Sequence, residues 1–104
     1  MIDQERMEAA MDFLAMTDES YATAKADMLR CELQAKRTRA RLFITGEGSV
    51  EARKAAAEAS QGALEADDEY IEHIKEFETL KAKRERAEIV IDVWRTLEAS
   101  RRKT

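Results

Sequence analysis

The chain has one histidine and one cysteine, the residues best able to do chemistry here. His73 lies in the segment EYIEHIKEF, where Glu69, Glu72 and Glu76 would place carboxylates beside the imidazole on a helix. A di-metal bundle site instead needs two Glu-x-x-His units with a spacing of three, plus carboxylates from other helices. Glu69 and His73 are four residues apart, so the pattern favours a surface histidine among solvated acids. We therefore expect no metal and no cofactor.

Cys31 falls on a predicted helix seam, without a histidine or acid at supporting distance in the sequence. A buried, unreactive thiol is the expected state of such a residue. With a single histidine no Ser-His-Asp order can be assembled, so we expect a non-enzyme. One thiol cannot form an intramolecular disulfide, which suits a reducing compartment.

Cationic residues form a second kind of candidate site because they occur in runs. The run KRTRAR and two bases beyond the next turn predict a basic corner that binds nucleic acid or a partner: Lys36, Arg37, Arg39, Arg41, Arg53 and Lys54. A second group comprises Lys81, Lys83, Arg84 and Arg86, followed by a tail of Arg101, Arg102 and Lys103. Such clusters neutralise phosphates without reading bases. The alternative is a solvated face whose cations pair with Glu one turn away, and the acidic residues 65–78 also oppose phosphate binding.

Two of the three glycines lie in RLFITGEGSVEARK, which raises the question of a phosphate-binding loop. Such a loop follows a strand and carries a lysine before Ser or Thr after its glycines. Here the preceding segment is helical and no such lysine follows, so the stretch is interpreted as a corner. Gly46 is expected in the left-handed conformation that ends a helix, and Ser49 is expected to cap the next helix.

The elements that hold these residues are predicted to be helices, because 18 of the 104 residues are alanine and none is proline. Periodicity predicts helices over residues 3–16, 18–43 and 50–100, with a turn at 44–49. The acids that follow Thr17 suit a helix start, so a break is expected there. Gly62 is expected to disturb the last helix slightly. The predicted fold is one all-α domain, a long antiparallel helical hairpin with a short N-terminal helix.

Apolar residues predict two seams along these helices. The seam of the second helix is built from small residues, widened by Leu29, Leu33 and Phe43; its members are Tyr21, Ala24, Met28, Cys31, Ala35, Thr38 and Leu42. The stripe of the last helix comprises Tyr70, Ile74, Phe77, Leu80, Ala87, Val90, Ile91, Trp94 and Leu97. Residues 1–20 carry a charge of −5 and residues 81–104 a charge of +4, so the first and last helices are expected to lie together.

The apolar residues also predict self-association. Without its alanines the chain has 28 apolar residues, which is a thin supply for a monomeric core of this length. The segment AEIVIDVW is apolar on more than one helix face, and such a helix must be covered on more than one side. We expect a homo-oligomer, a dimer forming a helical bundle or coiled coil, with an interface drawn from Ile89, Val90, Ile91, Val93, Trp94 and Leu97.

The sequence also predicts a location. Its first residues, MIDQERMEAAMDF, lack the basic and apolar regions of a signal peptide. No run approaches the roughly 18 apolar residues of a membrane span. We expect a protein that uses no membrane and resides in the cytoplasm.

At RLFITGEGSVEARKAAAEAS and AEIVIDVWRTLEASRR the chain resembles small helical proteins of unknown function from tailed bacteriophages and prophages. The elements that carry the resemblance lie at the corner and near the end: Arg41, Gly46, Gly48, Ser49, Val50, Arg53, Trp94, Arg95, Arg101 and Arg102. Genes of that group lie near annealing-recombinase and single-strand-binding genes. The resemblance implies a bacterial host cell and, by gene neighbourhood, DNA recombination or replication.

Three functions are compatible with these features. The first is an accessory protein of phage recombination or replication, which contacts single-stranded DNA or a recombinase through the basic corner. The second is a phage-encoded inhibitor of a host nuclease or defence complex, with an acidic cluster that imitates a nucleic-acid backbone: Glu65, Asp67, Asp68, Glu69 and Glu72. The third is a helical scaffold or adaptor dimer.

Overall fold

The structure, a computed structural model, describes residues 2–103 as three α-helices joined by short connections. Helix α1 covers Gln4–Thr45, α2 covers Val50–Ala59 and α3 covers Gln61–Arg102. Since no strand occurs within residues 2–103, the predicted all-α class is confirmed. No helix within residues 2–103 has the length and apolar character needed to cross a membrane.

Helix α1 is continuous, so the predicted break at Thr17 is wrong. The helix begins after Asp3, whose carboxylate accepts a hydrogen bond from the backbone N–H of Arg6 at 2.9 Å. The Thr17 hydroxyl instead donates to the carbonyl oxygen of Phe13, one turn earlier, at 2.7 Å. A threonine with this bond is compatible with a helix interior, and it leaves no cap for a new helix start.

The corner between α1 and α2 consists of residues 46–49. Ser49 caps α2 as predicted, because its hydroxyl oxygen accepts a hydrogen bond from the N–H of Ala52 at 3.1 Å. The left-handed residue is Gly48, with φ of 98°, and not Gly46 as predicted. Gly46 serves a different need, since a Cβ there would lie 3.2 Å from the Leu42 carbonyl oxygen and 3.3 Å from Arg53 Cγ.

A second interruption divides the helix predicted over residues 50–100 into α2 and α3. It lies at Ser60, which has an extended backbone conformation. The Ser60 hydroxyl donates to the Ala57 carbonyl oxygen at 2.8 Å and accepts from the Ala63 N–H at 3.1 Å. One serine therefore caps the end of α2 and the start of α3, and Gly62 lies inside α3.

The chain forms two compact units, and α1 and α3 contribute to both. The terminal unit comprises Met1–Thr23 and Glu78–Thr104. Its core is a cluster of buried residues with partly buried apolar neighbours: Met7, Ala10, Ala87 and Ile91, then Phe13, Leu14, Val90 and Trp94. The cluster joins the first part of α1 to the last part of α3, as the opposite charges of residues 1–20 and 81–104 predicted. Its members on α3 all belong to the apolar stripe predicted for the last helix.

The central unit comprises Ala24–Phe77. Its buried residues are mostly small: Ala35, Thr38, Ala57, Ala63 and Phe77. Every member of the predicted α1 seam within this unit is buried or half-buried. Leu29 and Leu33 were expected to widen that seam, but they are 46% and 50% exposed, so this part of the prediction is wrong. The unit is packed largely around alanines, and several of its large aliphatic side chains are exposed, including Leu64 and Ile71.

Candidate functional site

Arg39 is the member of the predicted basic corner that the fold uses for itself. Its guanidinium donates to the Asp67 carboxylate and, at 3.4 Å, to Glu58 Oε2. The hydrogen bond that Arg39 donates to Asp67 is the main cause that raises the pKa of Arg39 above its ordinary value. Two carboxylates thus neutralise this cation, and it contributes little to a phosphate-binding surface.

Arg53 is also held within the corner. Its guanidinium carbon lies 4.8 Å from the centre of the Phe43 ring, a cation–π arrangement. Its Nε atom is buried and has no hydrogen-bond partner. Because Gly46 approaches Arg53 closely, the glycine allows the arginine stem to lie against the corner. The aromatic ring that could have stacked on a base is therefore covered by an arginine.

The other cations of the corner point outward. Lys36 is exposed and pairs with Glu32 one turn earlier, at 3.2 Å. Arg37, Arg41 and Lys54 are exposed and form no ion pair with any residue in the range 2–103. Three of the six predicted cations thus remain available to a ligand.

The same corner carries an apolar groove that sequence reasoning missed. The groove has a volume of about 420 Å³ and lies between the end of α1 and α2; its lining is Arg39, Ala40, Phe43, Ile44, Val50, Lys54, Ala57 and Glu58. Ile44 is 73% exposed and Val50 is 61% exposed. Both residues flank the glycine-containing turn. Two large aliphatic residues beside a polar turn are the sequence feature from which the groove could have been predicted.

The residues predicted to form an oligomer interface divide into two sets. The first set is covered by the chain itself: Ile91 is buried, and Val90, Trp94 and Leu97 are partly buried. Ile89 is 60% exposed and Val93 is 39% exposed, as expected for side chains that point away from Ile91 and Trp94. A groove of about 350 Å³ in the same unit is lined by Ala9, Ala10, Phe13, Lys83, Arg86, Ala87 and Val90.

The second group of cations is not a uniform basic face. The Arg84 side chain is only 14% exposed and forms an ion pair with Asp18 at 2.6 Å. Its neighbours Lys83 and Arg86 are exposed, and in the tail Arg101 pairs with Glu98 at 2.8 Å. Arg84 is thus held by partners within the terminal unit, which makes it less suited to phosphate binding than its exposed neighbours.

A third site appears only in the folded chain. One ligand atom each of Cys31, Glu69 and His73 lies within 4.8 Å of the others, although the cysteine is on α1 and the other two are on α3. Cys31 and His73 are half-buried and Glu69 is exposed. The pKa of the Cys31 thiol is raised, first by desolvation and then by the carboxylates of Glu69 and Asp27, while Arg30 opposes this shift. Sequence reasoning linked neither Glu69 nor His73 to Cys31, because that contact depends on how α1 and α3 align.

The chain matches no protein family, no curated protein and no solved structure.

Proposed function

We propose that the protein is a non-enzymatic helical adaptor, which self-associates through the terminal unit and binds a partner protein at the basic corner. The observation that carries the proposal is the distribution of apolar side chains. Within residues 2–103 no large side chain is fully buried, whereas ten large apolar residues are exposed, among them Ile44, Val50, Ile89 and Val93. Ile44 and Val50 line one groove, and Ile89 and Val93 lie one turn apart on α3, so each pair offers an apolar patch to a partner.

The corner suits an amphipathic helix of a partner. The groove offers the exposed side chains of Ile44 and Val50 to the apolar face of such a helix. Arg41 and Lys54 are the exposed cations that would meet its acidic residues. Helix-in-groove recognition uses this combination, with apolar anchors for affinity and charges for orientation.

The corner suits single-stranded DNA less well. Proteins that bind single strands combine a cationic groove with aromatic rings on which bases stack. Here Arg39 is neutralised by Asp67 and Glu58, and Arg53 covers the Phe43 ring. A protein partner, such as the recombinase that the phage resemblance implies, is therefore favoured over the nucleic acid itself.

The inhibitor that imitates nucleic acid is also less favoured. It depends on a dense cluster of unpaired acids along α3, and Asp67 is one of the five residues in that cluster. Since Arg39 neutralises Asp67, the cluster loses part of its charge at its centre.

We propose that the oligomer is a bundle of antiparallel helical hairpins. Two contacts in the central unit support this order, since Glu32 accepts from the Tyr70 hydroxyl at 3.4 Å and Arg39 pairs with Asp67. Arg39 follows Glu32 along α1, whereas its partner Asp67 precedes Tyr70 along α3. The two helices therefore run in opposite directions in this unit. A second copy that packs on Ile89 and Val93 would remove these side chains from water, at roughly 25 cal/mol for each Å² of apolar surface buried.

Photo-crosslinking tests the partner surface. The protein with a photoreactive residue in place of Ile44 is irradiated in bacterial cells that carry the gene and its neighbours. We expect one crosslinked partner protein, whose yield falls in the double variant Arg41→Glu, Lys54→Glu. Glu47→Gln changes an exposed charge of the same corner and is expected to leave the yield unchanged.

A titration with labelled single-stranded DNA separates the two ligands. A dissociation constant tighter than roughly 10 µM at low salt, lost steeply as salt rises, would support the nucleic-acid version. The adaptor proposal is wrong if the crosslinked protein is retained by the Arg41→Glu, Lys54→Glu variant, or if no crosslink forms.

A further inference from the structure

The residues Cys31, Glu69 and His73 offer three different donor types from two helices. Glu69 and His73 lie one helical turn apart on α3, so they share a face, and Cys31 approaches them from α1. Their ligand atoms lie within 4.8 Å of one another. Bonds of about 2.0–2.3 Å around a tetrahedral zinc ion place ligand atoms roughly 3.3–3.6 Å apart. Atoms at the 4.8 Å limit would have to approach by roughly 1.2–1.5 Å to reach that separation, which rotation of the side chains can supply.

The donor set selects the kind of ion. A thiolate and an imidazole are poor ligands for Mg²⁺ or Ca²⁺, which take oxygen atoms. Sulfur, nitrogen and one carboxylate oxygen are ligands of Zn²⁺ and of its neighbours Co²⁺ and Ni²⁺. Three protein ligands with an open fourth position are a frequent zinc arrangement.

The surroundings provide the other parts of such a site. Glu76 Oε2 lies 3.6 Å from Nδ1 of His73, so a carboxylate is near one ring nitrogen, and Nε2 would be the nitrogen that binds the metal. Metal-bound histidines commonly have such a carboxylate on the second ring nitrogen. A pocket of about 170 Å³ adjoins the cysteine and Glu69, and its other lining residues are Arg30, Gln34 and Ala66. It has room for a water molecule as the fourth ligand and gives the ion a path to the site.

The charges around the thiol favour a cation. Glu69 and Asp27 both disfavour the thiolate, which a divalent ion would reverse by offsetting their negative charge. Arg30 lowers the pKa of the thiol, but its guanidinium is paired with Asp27 at 2.7 Å. Because the net shift of the thiol pKa is still upward, Arg30 does not outweigh the opposing causes.

We propose that Cys31, Glu69 and His73 form a binding site for Zn²⁺ or a similar divalent transition-metal ion, with Glu76 as the carboxylate that orients the histidine. On binding, the Cys31 thiol loses its proton to solvent and its sulfur bonds to the metal as a thiolate. The ion would tie α1 to α3 within the central unit. The inference does not depend on the proposed adaptor function.

Cobalt titration tests the site in the whole protein, reduced and freed of metal by a chelator that is then removed. Wild-type protein is expected to bind one Co²⁺ per chain, with a thiolate-to-cobalt charge-transfer band in the near ultraviolet and the intense visible bands of a four-coordinate ion. Zn²⁺ should displace Co²⁺ and erase both sets of bands. Cys31→Ser should remove the charge-transfer band, and His73→Gln should prevent stoichiometric binding.

Two further variants test the orienting carboxylate and provide a matched control. Glu76→Gln alters only the orienting carboxylate and should weaken the affinity roughly 10-fold. Glu65→Gln removes the same charge from an exposed residue one turn before Glu69 and should leave the titration unchanged. Circular dichroism of each variant checks that the helices are retained.

Protection of the thiol gives a second readout that does not depend on spectra. Zn²⁺ is expected to slow alkylation of Cys31 in wild-type protein and in Glu65→Gln, but not in His73→Gln. The proposal is overturned if Co²⁺ produces no charge-transfer band in folded wild-type protein, if that band survives Cys31→Ser, or if His73→Gln binds as tightly as wild type.

Discussion

Arg84 Nη2 lies 2.6 Å from Asp18 Oδ1, and this contact joins α3 to α1 within the terminal unit. The other guanidinium nitrogen donates to the Leu14 carbonyl oxygen at 2.9 Å and to the Thr17 hydroxyl at 2.7 Å. The guanidinium carbon also lies 5.0 Å from the centre of the Tyr21 ring. One arginine thus satisfies backbone, hydroxyl, carboxylate and aromatic partners on a single helix.

Replacing Arg84 by Lys is expected to lower the free energy of unfolding by about 2 kcal/mol, since hydrogen bonds to charged groups contribute roughly 1.5–3 kcal/mol. An ammonium group cannot reproduce the planar fork that reaches three acceptors. Urea denaturation at a fixed protein concentration measures the change as a lower midpoint with an unchanged slope. Lys83→Ala alters an exposed neighbour and should stay within about 0.5 kcal/mol of wild type. Equal midpoints for Arg84→Lys and Lys83→Ala would contradict the role given to Arg84.

Replacing Ile89 and Val93 together by Glu is expected to convert a dimer to a monomer of 11.9 kDa. Both side chains are exposed within one chain, so the substitutions remove contacts between copies without opening the core of the protomer. Light scattering at micromolar concentration measures the mass, and the thermal midpoint should fall with it. Ile71→Glu changes a comparably exposed residue, at 57%, and should leave the mass unchanged. A monomeric wild type would disprove self-association.

Two glycine-to-alanine variants should change stability in opposite directions. Gly48 has φ of 98°, a conformation that costs an alanine about 1–2 kcal/mol, so Gly48→Ala is expected to destabilise the protein. At Gly62 a Cβ would lie 3.8 Å from Thr38 Cγ2 and 3.9 Å from Leu42 Cδ1, which are ordinary contacts. Gly62→Ala is therefore expected to add roughly 0.4–1 kcal/mol, because it restricts the unfolded chain. Thermal unfolding of the two variants beside wild type tests both signs.

Alkylation of Cys31 in chelator-treated protein should depend on its acidic neighbours. Because desolvation and then Glu69 and Asp27 raise the pKa of the thiol, the thiolate fraction at neutral pH is small and rises only at higher pH. Glu69→Gln should lower the pKa of Cys31 and speed iodoacetamide alkylation at pH 8, whereas Arg30→Gln should raise the pKa and slow it. Rates measured across pH check both directions, and Glu65→Gln is the matched control. A shift of equal size in Glu65→Gln would show that the effect is not local.

The features of the fold that could be predicted from the sequence are those set by residues a few positions apart. The 3.6-residue period predicted that Phe77, Ala87 and Ile91 would be buried, because that pattern is read within one helix. The Ser49 cap was likewise visible, since it involves a residue only three positions away. The interruption at Ser60 was not predicted, because alanine and glutamate precede it and glutamine, alanine and leucine follow it, all of which favour a helix.

The candidate sites were less predictable because they depend on how one helix aligns with another. A run of bases predicted a cationic corner, but only the fold shows that Arg39 meets Asp67 and that Arg53 covers Phe43. Cys31 lies 38 positions before Glu69, and no local pattern links them. The register of α1 against α3 in the central unit brings these two side chains together.

Helix α2 has only ten residues and buries only Ala57, between the corner and the joint at Ser60. Isolated helices shorter than about 12–15 residues are marginal in water, so α2 is expected to open without the rest of the chain unfolding. Its amide hydrogens should exchange with deuterium well before those of α1 and α3 in the central unit. One wall of the groove is formed by residues of α2, namely Val50, Lys54, Ala57 and Glu58. A ligand in the groove would therefore bind only the state in which α2 is folded. Slower exchange across α2 would then report occupancy of the corner before any partner has been identified.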